Sequence, residues 1–154
     1  MVIFLLFTGC KANFKKFEPI TSGIEFSADI AYYNERYESN CQVNESGEMH
    51  VKFTNPAEIE GLKFNVSKNG VSAEYGELEY INKNEIFENT AIYLMWDVLS
   101  NAKSEVKSEN NIFFVEGKTK GFDYKLELGS SGLPIKLVTN PNVLEVTFKN
   151  VRIK

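Results

Sequence analysis

This chain has little of what most catalytic sites are made from. Its 154 residues include one His, two Cys, one Trp and four Pro. One histidine and two separated cysteines cannot assemble a zinc site. A Ser-His-Asp triad would have to use His50, which falls on the polar phase of a run from Met49 to Phe53 and reads as a solvated side chain. The chain has no Gly-x-Ser-x-Gly elbow, P-loop or dinucleotide fingerprint, and Gly129-Ser-Ser-Gly132 reads as a turn. No cofactor and no enzyme activity are therefore expected. Neither sign of charge dominates: 17 basic and 21 acidic residues give a net charge of −4. They are interspersed, which removes the electrostatic case for nucleic acid. No apolar run approaches the ~20 residues that cross a bilayer as a helix.

What is plentiful is aromatic, with 12 Phe and 7 Tyr, a composition that favours strands. At the front, Val2 to Phe7 is a short apolar run followed by Thr8, Gly9 and Cys10. It matches the h-region of a secretory signal leading into small residues at a processing site. Phe7-Thr8-Gly9-Cys10 is similar to the bacterial lipobox, whose cysteine is lipidated and becomes the new N-terminus. Phe7 stands where Leu is usual, and no Lys or Arg precedes the run. The alternative is a buried strand with a core cysteine. On the lipoprotein reading, residues 1–10 are the signal ending at a lipidated Cys10. Residues 11–22 are then a tether, and 23–154 a single domain held outside the cytoplasm at the cell membrane. Cys41 is left without a disulfide partner and reads as a strand-buried thiol.

From Gly23 the pattern turns to period two. Ile24, Phe26, Ala28, Ile30 and Tyr32 form one face of a first strand. Asn34-Glu35 reads as a turn, and Tyr37 to Val43 as a second strand. Ser46-Gly47 turns into Met49, Val51 and Phe53. Leu62, Phe64 and Val66 pair with Val71, Ala73 and Tyr75 across Asn69-Gly70, a strong hairpin signal when both residues take positive φ. Leu78 and Tyr80 make a further short strand. Ile112–Lys118, Phe122–Leu128, Ile135–Val138 and Leu144–Ile153 complete a count of nine or ten. Parallel pairs need crossovers of a dozen residues or more. Only one segment is long enough, so the sheet is expected to be mainly antiparallel, and one this wide usually curls.

That segment, Phe87 to Ala102, is the one long helix. Phe87, Ala91, Leu94, Val98 and Ala102 share one side, and Ile92, Met95, Trp96 and Leu99 widen it. The apolar stripe is about twice the ~100° of a surface helix, so the helix is expected to bury two sides. Asn89, Tyr93, Asp97 and Ser100 are left as the polar side, with Asp97 solvated. Asn82 with Glu85 reads as its N-cap and partial capping box.

This order of elements resembles the LolA/LolB-like bacterial lipoprotein family. The likeness is carried by the Phe53-Thr-Asn-Pro56 step, the Leu62–Tyr75 hairpin, the central helix, Gly129-Ser-Ser-Gly132-Leu-Pro134 and the closing Val146-Thr-Phe148-Lys-Asn-Val151. It implies an α+β fold: a strongly curved, incomplete antiparallel barrel packed on one central helix. It also implies an apolar cavity that takes acyl chains. The substantial N-terminal helix of that family has no counterpart in Lys11 to Ser22. Strand alternation nominates Phe26, Tyr32, Phe64, Tyr75, Phe114, Phe122 and Tyr124 as cavity liners, with Trp96 from the helix. The expected function is a membrane-anchored module that binds an acyl chain or another apolar ligand. The alternative is an anchored protein-interaction or regulatory lipoprotein without a cavity, as the resemblance to anchored relatives in spore-forming bacteria implies. A dry apolar pocket above about 300 Å³ separates the first from the second.

Overall fold

The computed structural model describes residues 18–82, 90–102 and 105–154. Eleven strands form one sheet. They are β1 (Ile24–Tyr32), β2 (Glu35–Val43), β3 (Met49–Asn55), β4 (Lys63–Ser67), β5 (Gly70–Tyr75), β6 (Leu78–Asn82), β7 (Lys107–Glu109), β8 (Ile112–Thr119), β9 (Phe122–Leu128), β10 (Pro134–Asn140) and β11 (Leu144–Ile153). Among the described residues one α-helix, α1 (Ala91–Asn101), lies between β6 and β7 in the chain, and a single 3-10 turn, Ala57–Ile59, follows β3. The order across the sheet is β6-β5-β4-β3-β2-β1-β11-β10-β9-β8-β7, and every pair is antiparallel. The first and last strands therefore meet in the middle, and α1 carries the chain from one edge of the sheet to the other.

The sheet is curved and does not close. Helix α1 touches β4, β11 and β8. Between β4 and β8 lie seven strand steps, about 33 Å if the sheet were flat. Eleven helical residues span only about 16 Å. The strands must wrap around the helix for both contacts to exist, which gives the expected half-barrel. Period-two alternation supplies the lining. Ile24, Phe26, Ala28 and Ile30 of β1 and Leu144, Val146 and Phe148 of β11 are buried on the concave side. Tight turns keep neighbouring strands antiparallel. Asn110-Asn111 and Lys120-Gly121 both have positive φ at each central residue, the geometry that matches strand twist.

Several details differ from the sequence reading. Eleven strands are present among the described residues because Lys107–Glu109, too short and polar to register by pattern, pairs with β8. Asn82 does not cap the helix. It is the last residue of β6 and pairs with Val71, while Thr90 Oγ1 accepts from the Tyr93 N–H at 3.2 Å and is the N-cap. Glu85 of the expected capping box, residues 87–89 of the expected helix and the expected lipidation residue Cys10 lie outside the described residues. The first turn falls on Tyr33-Asn34, with Glu35 already in β2. The Asn69-Gly70 turn sits one residue earlier: Ser67 pairs with Gly70, so Lys68-Asn69 is the loop and only Gly70 has positive φ. Tyr93 is buried rather than polar-facing, and Asp97 is not simply solvated: its Oδ2 accepts from Thr119 Oγ1 at 2.6 Å.

Candidate functional site

The helix decides which part of the concave sheet is available. Ala91, Ile92, Tyr93, Leu94, Met95, Trp96, Val98 and Leu99 are all buried, so α1 fills the trough it crosses instead of roofing a void. Trp96 anchors it: the indole N–H donates to the Gly47 carbonyl at 2.7 Å, tying α1 to the β2–β3 turn. On the opposite side Asp97 holds the end of β8 through Thr119, while its Oδ1 accepts from Asn101 Nδ2 at 2.9 Å.

Beyond the helix the concave face is aromatic. Tyr37, Phe53 and Phe64, from β2, β3 and β4, meet edge to face with centroids 5.7 and 6.1 Å apart. The row continues onto β5 and β6, where Phe64 pairs with Ala73 and Ala73 with Tyr80. In the same phase lie Tyr75 and Leu78, which pair with each other. These last side chains stand open: Tyr75 is 46% exposed, Leu78 75% and Tyr80 48%. Where the wall meets the helix, Phe64, Val66, Val71, Thr90, Ile92 and Tyr93 line an apolar recess of about 50 Å³. A small-molecule site usually offers ~300 Å³ or more.

The eight nominated liners are not brought together. Phe64 lines the recess, and Tyr75 belongs to the open wall beside it. Tyr32 and Phe122 are half-buried at the same end of the sheet, Tyr32 in edge-to-face contact with Tyr33 at 4.8 Å. Phe26 is buried in the core against Phe148 at 5.1 Å. Tyr124 is buried over Gly117, and Trp96 is buried at the other side of the helix. Phe114 faces the convex side. It pairs with Glu127, one position out of phase with Val115 and Leu126, and Lys125 Nζ lies 4.2 Å from its ring centroid. Leu78 and Tyr80 were not among the nominees, although their alternation with Glu79 carried the signal.

A second opening lies at the opposite end, among the β2–β3 and β4–β5 turns and the end of α1. It is about 470 Å³, and Glu45, Ser46, Glu48, Ser67, Lys68 and Asn69 contribute much of its lining. Ser100 Oγ, at its edge, is buried without a hydrogen-bond partner. Polar turn residues and the apolar Val43, Trp96 and Leu99 share this lining, where the wall is apolar.

Titration follows burial. The Cys41 thiol is pushed up to about 12 by burial, against a smaller opposing effect of Ser39 Oγ at 3.3 Å. Burial, and then the Asp97 charge, raise the Tyr124 phenol; burial also raises Tyr32. His50 sits on the convex face as expected, but inside a polar chain rather than in solvent alone. Its Nδ1 is 2.5 Å from Asn65 Oδ1 and its Nε2 3.2 Å from Asn44 Nδ2, and Asn65 donates on to Ser72. Among the described residues, no helix is long and apolar enough to cross a membrane.

One helix packed inside an unclosed antiparallel sheet is the arrangement that the resemblance implied. In architecture this chain is an α+β half-barrel: an unclosed antiparallel sheet packed on one α-helix. No family model and no curated protein matches it. Solved structures similar to it include an uncharacterized conserved protein from Thermus thermophilus (11% identity, 85% of this chain and 78% of that one, TM-score 0.49). A LolA superfamily protein from Nitrosomonas europaea is similar at 7% identity, over 92% of this chain and 88% of that one, with a TM-score of 0.48. A Vibrio parahaemolyticus structure described as an outer membrane lipoprotein-sorting protein domain is similar at 9% identity, over 85% of each chain, with a TM-score of 0.45.

Proposed function

We propose that the protein is a lipid-anchored interaction module, held at the cell membrane through Cys10, whose working surface is the open aromatic wall of β4–β6. The wall docks an apolar segment of another protein. The observation that carries this reading is the coexistence of a filled trough with uncovered apolar side chains. Leu78, at 75% exposure, contributes nothing to the core, and aromatic side chains clustered with it are characteristic of interface anchors.

The acyl-chain reading keeps one support. The recess beside Phe64 is almost wholly apolar and opens from the same wall. Its volume of about 50 Å³ weighs against it, because a long acyl chain needs several times that space and α1 occupies the rest of the trough. Native mass spectrometry of the full chain, released gently from membranes, separates the two. The interaction reading expects only the covalent anchor mass. A further non-covalent lipid bound one to one would replace it with the acyl-chain reading.

A further inference from the structure

The two edges of the sheet are protected differently. At one, β7 is three residues long and entirely exposed and polar in pattern, Lys107-Ser108-Glu109. Short charged edges discourage pairing with other chains. At the other, β6 is longer and carries Leu78 and Ile81 at 75% and 58% exposure. The two-residue loop Gly76-Glu77 makes Tyr75 and Leu78 a hydrogen-bonded pair,. Antiparallel alternation then leaves the backbone groups of Glu79 and Ile81 pointing away from β5.

The convex face adds a charge argument. Reading straight across adjacent strands, Lys52 pairs with Lys63, Lys63 with Glu74, and Glu74 with Glu79. Lys63 Nζ bonds Glu74 Oε2 at 3.1 Å. Two cations are followed by two anions, and the row ends on Glu79 at the edge. Like charges directly opposite are unfavourable and opposite ones favourable. A cation on one further strand would complete the row.

We propose that β6 is a docking edge: an extended segment of a partner protein adds to it as a twelfth strand, placing Lys or Arg beside Glu79 and apolar residues beside Leu78 and Tyr80. This rests on the reading of the wall given above and specifies how the partner is held. Main-chain hydrogen bonds supply the grip, and the alternating side chains supply the choice of partner.

The test uses the full chain in detergent and a fluorescent peptide, Ser-Thr-Val-Lys-Val-Thr-Ser, against Ser-Thr-Val-Glu-Val-Thr-Ser, read by anisotropy. The Lys peptide is expected to bind about tenfold more tightly, and Glu79→Lys is expected to invert that order. Ile81→Pro removes an outward N–H without touching the β5 ladder; it is expected to abolish binding while circular dichroism stays unchanged. Equal binding of the two peptides, binding of neither, or full binding to the Ile81→Pro variant overturns the proposal. A photo-cross-linker at position 78 reports on the wall separately. Peptide binding that obeys Glu79 and Ile81 without a protein cross-link in cells would support the edge and sink the wall's assigned role. A persistent cross-link with peptide binding indifferent to both residues would do the reverse.

Discussion

Trp96 Nε1 donates to the Gly47 carbonyl at 2.7 Å, and this one bond joins the only α-helix among the described residues to a turn of the sheet. Trp96 is also the only tryptophan in the chain, so its fluorescence reports on the seating of the helix. Trp96→Phe keeps most of the apolar contact and removes the donor. It is expected to cost about 1–3 kcal/mol of stability, measured by urea unfolding followed by far-ultraviolet circular dichroism.

Asp97 and Thr119 make the corresponding tie on the other side, at 2.6 Å. Thr119 is 2% exposed, so Asp97→Ala leaves its hydroxyl buried without an acceptor. A loss of about 1–3 kcal/mol is expected. Thr119→Val, which removes the hydroxyl rather than orphaning it, should cost less than Asp97→Ala in the same denaturation assay.

Gly117 is fixed by its neighbour. A Cβ there would lie 2.6 Å from Tyr124 Oη and 2.7 Å from Cζ, closer than packed atoms approach. Gly117→Ala is expected to displace the Tyr124 ring and destabilise the protein by about 1–3 kcal/mol. Gly117→Ala combined with Tyr124→Leu should recover part of that loss if the ring is the obstacle.

Cys41 gives the pH dependence. Its folded pKa, about 12, lies above the ordinary thiol value of 9.0. The unfolded chain therefore loses this proton first as pH rises. The stability that the buried neutral thiol contributes is complete below pH 9 and is lost as pH climbs from there toward 12. The slope from this group is about 1.4 kcal/mol per pH unit. Tyr32 and Tyr124, also raised, act with the same sign. Cys41→Ala should flatten the stability profile between pH 9 and 10.5, and native Cys41 should resist alkylation at pH 8 until the protein is unfolded.

Much of the fold was legible in the sequence because one physical rule was obeyed along most strands: alternate residues face a dry interior. Ile24 to Ile30 and Leu144 to Phe148 show it without interruption. The rule failed where it lost its phase. Phe113, Phe114 and Val115 are consecutive and apolar, and only the pairing of Phe114 with Glu127, with Lys125 Nζ over its ring, reveals that it faces the convex side. The helix start was obscured by rival cap signals. Asn82 has the right chemistry but is held in β6 by Val71, so Thr90 takes the role. Tyr93 has a polar tip, which hid how deeply its ring is buried. The candidate site was harder still. Alternation shows that Phe26, Phe64 and Tyr75 share a face, but not that the first is closed into the core while the last stands open.

The most direct test of the wall is site-specific photo-cross-linking in living cells, comparing position 78 on the open wall with position 52 on the convex face. The account predicts a discrete protein adduct at position 78, lost when Tyr75 is changed to Ser, and no adduct at position 52. Adducts of equal yield at both positions, or a lipid as the sole adduct at position 78, would contradict it.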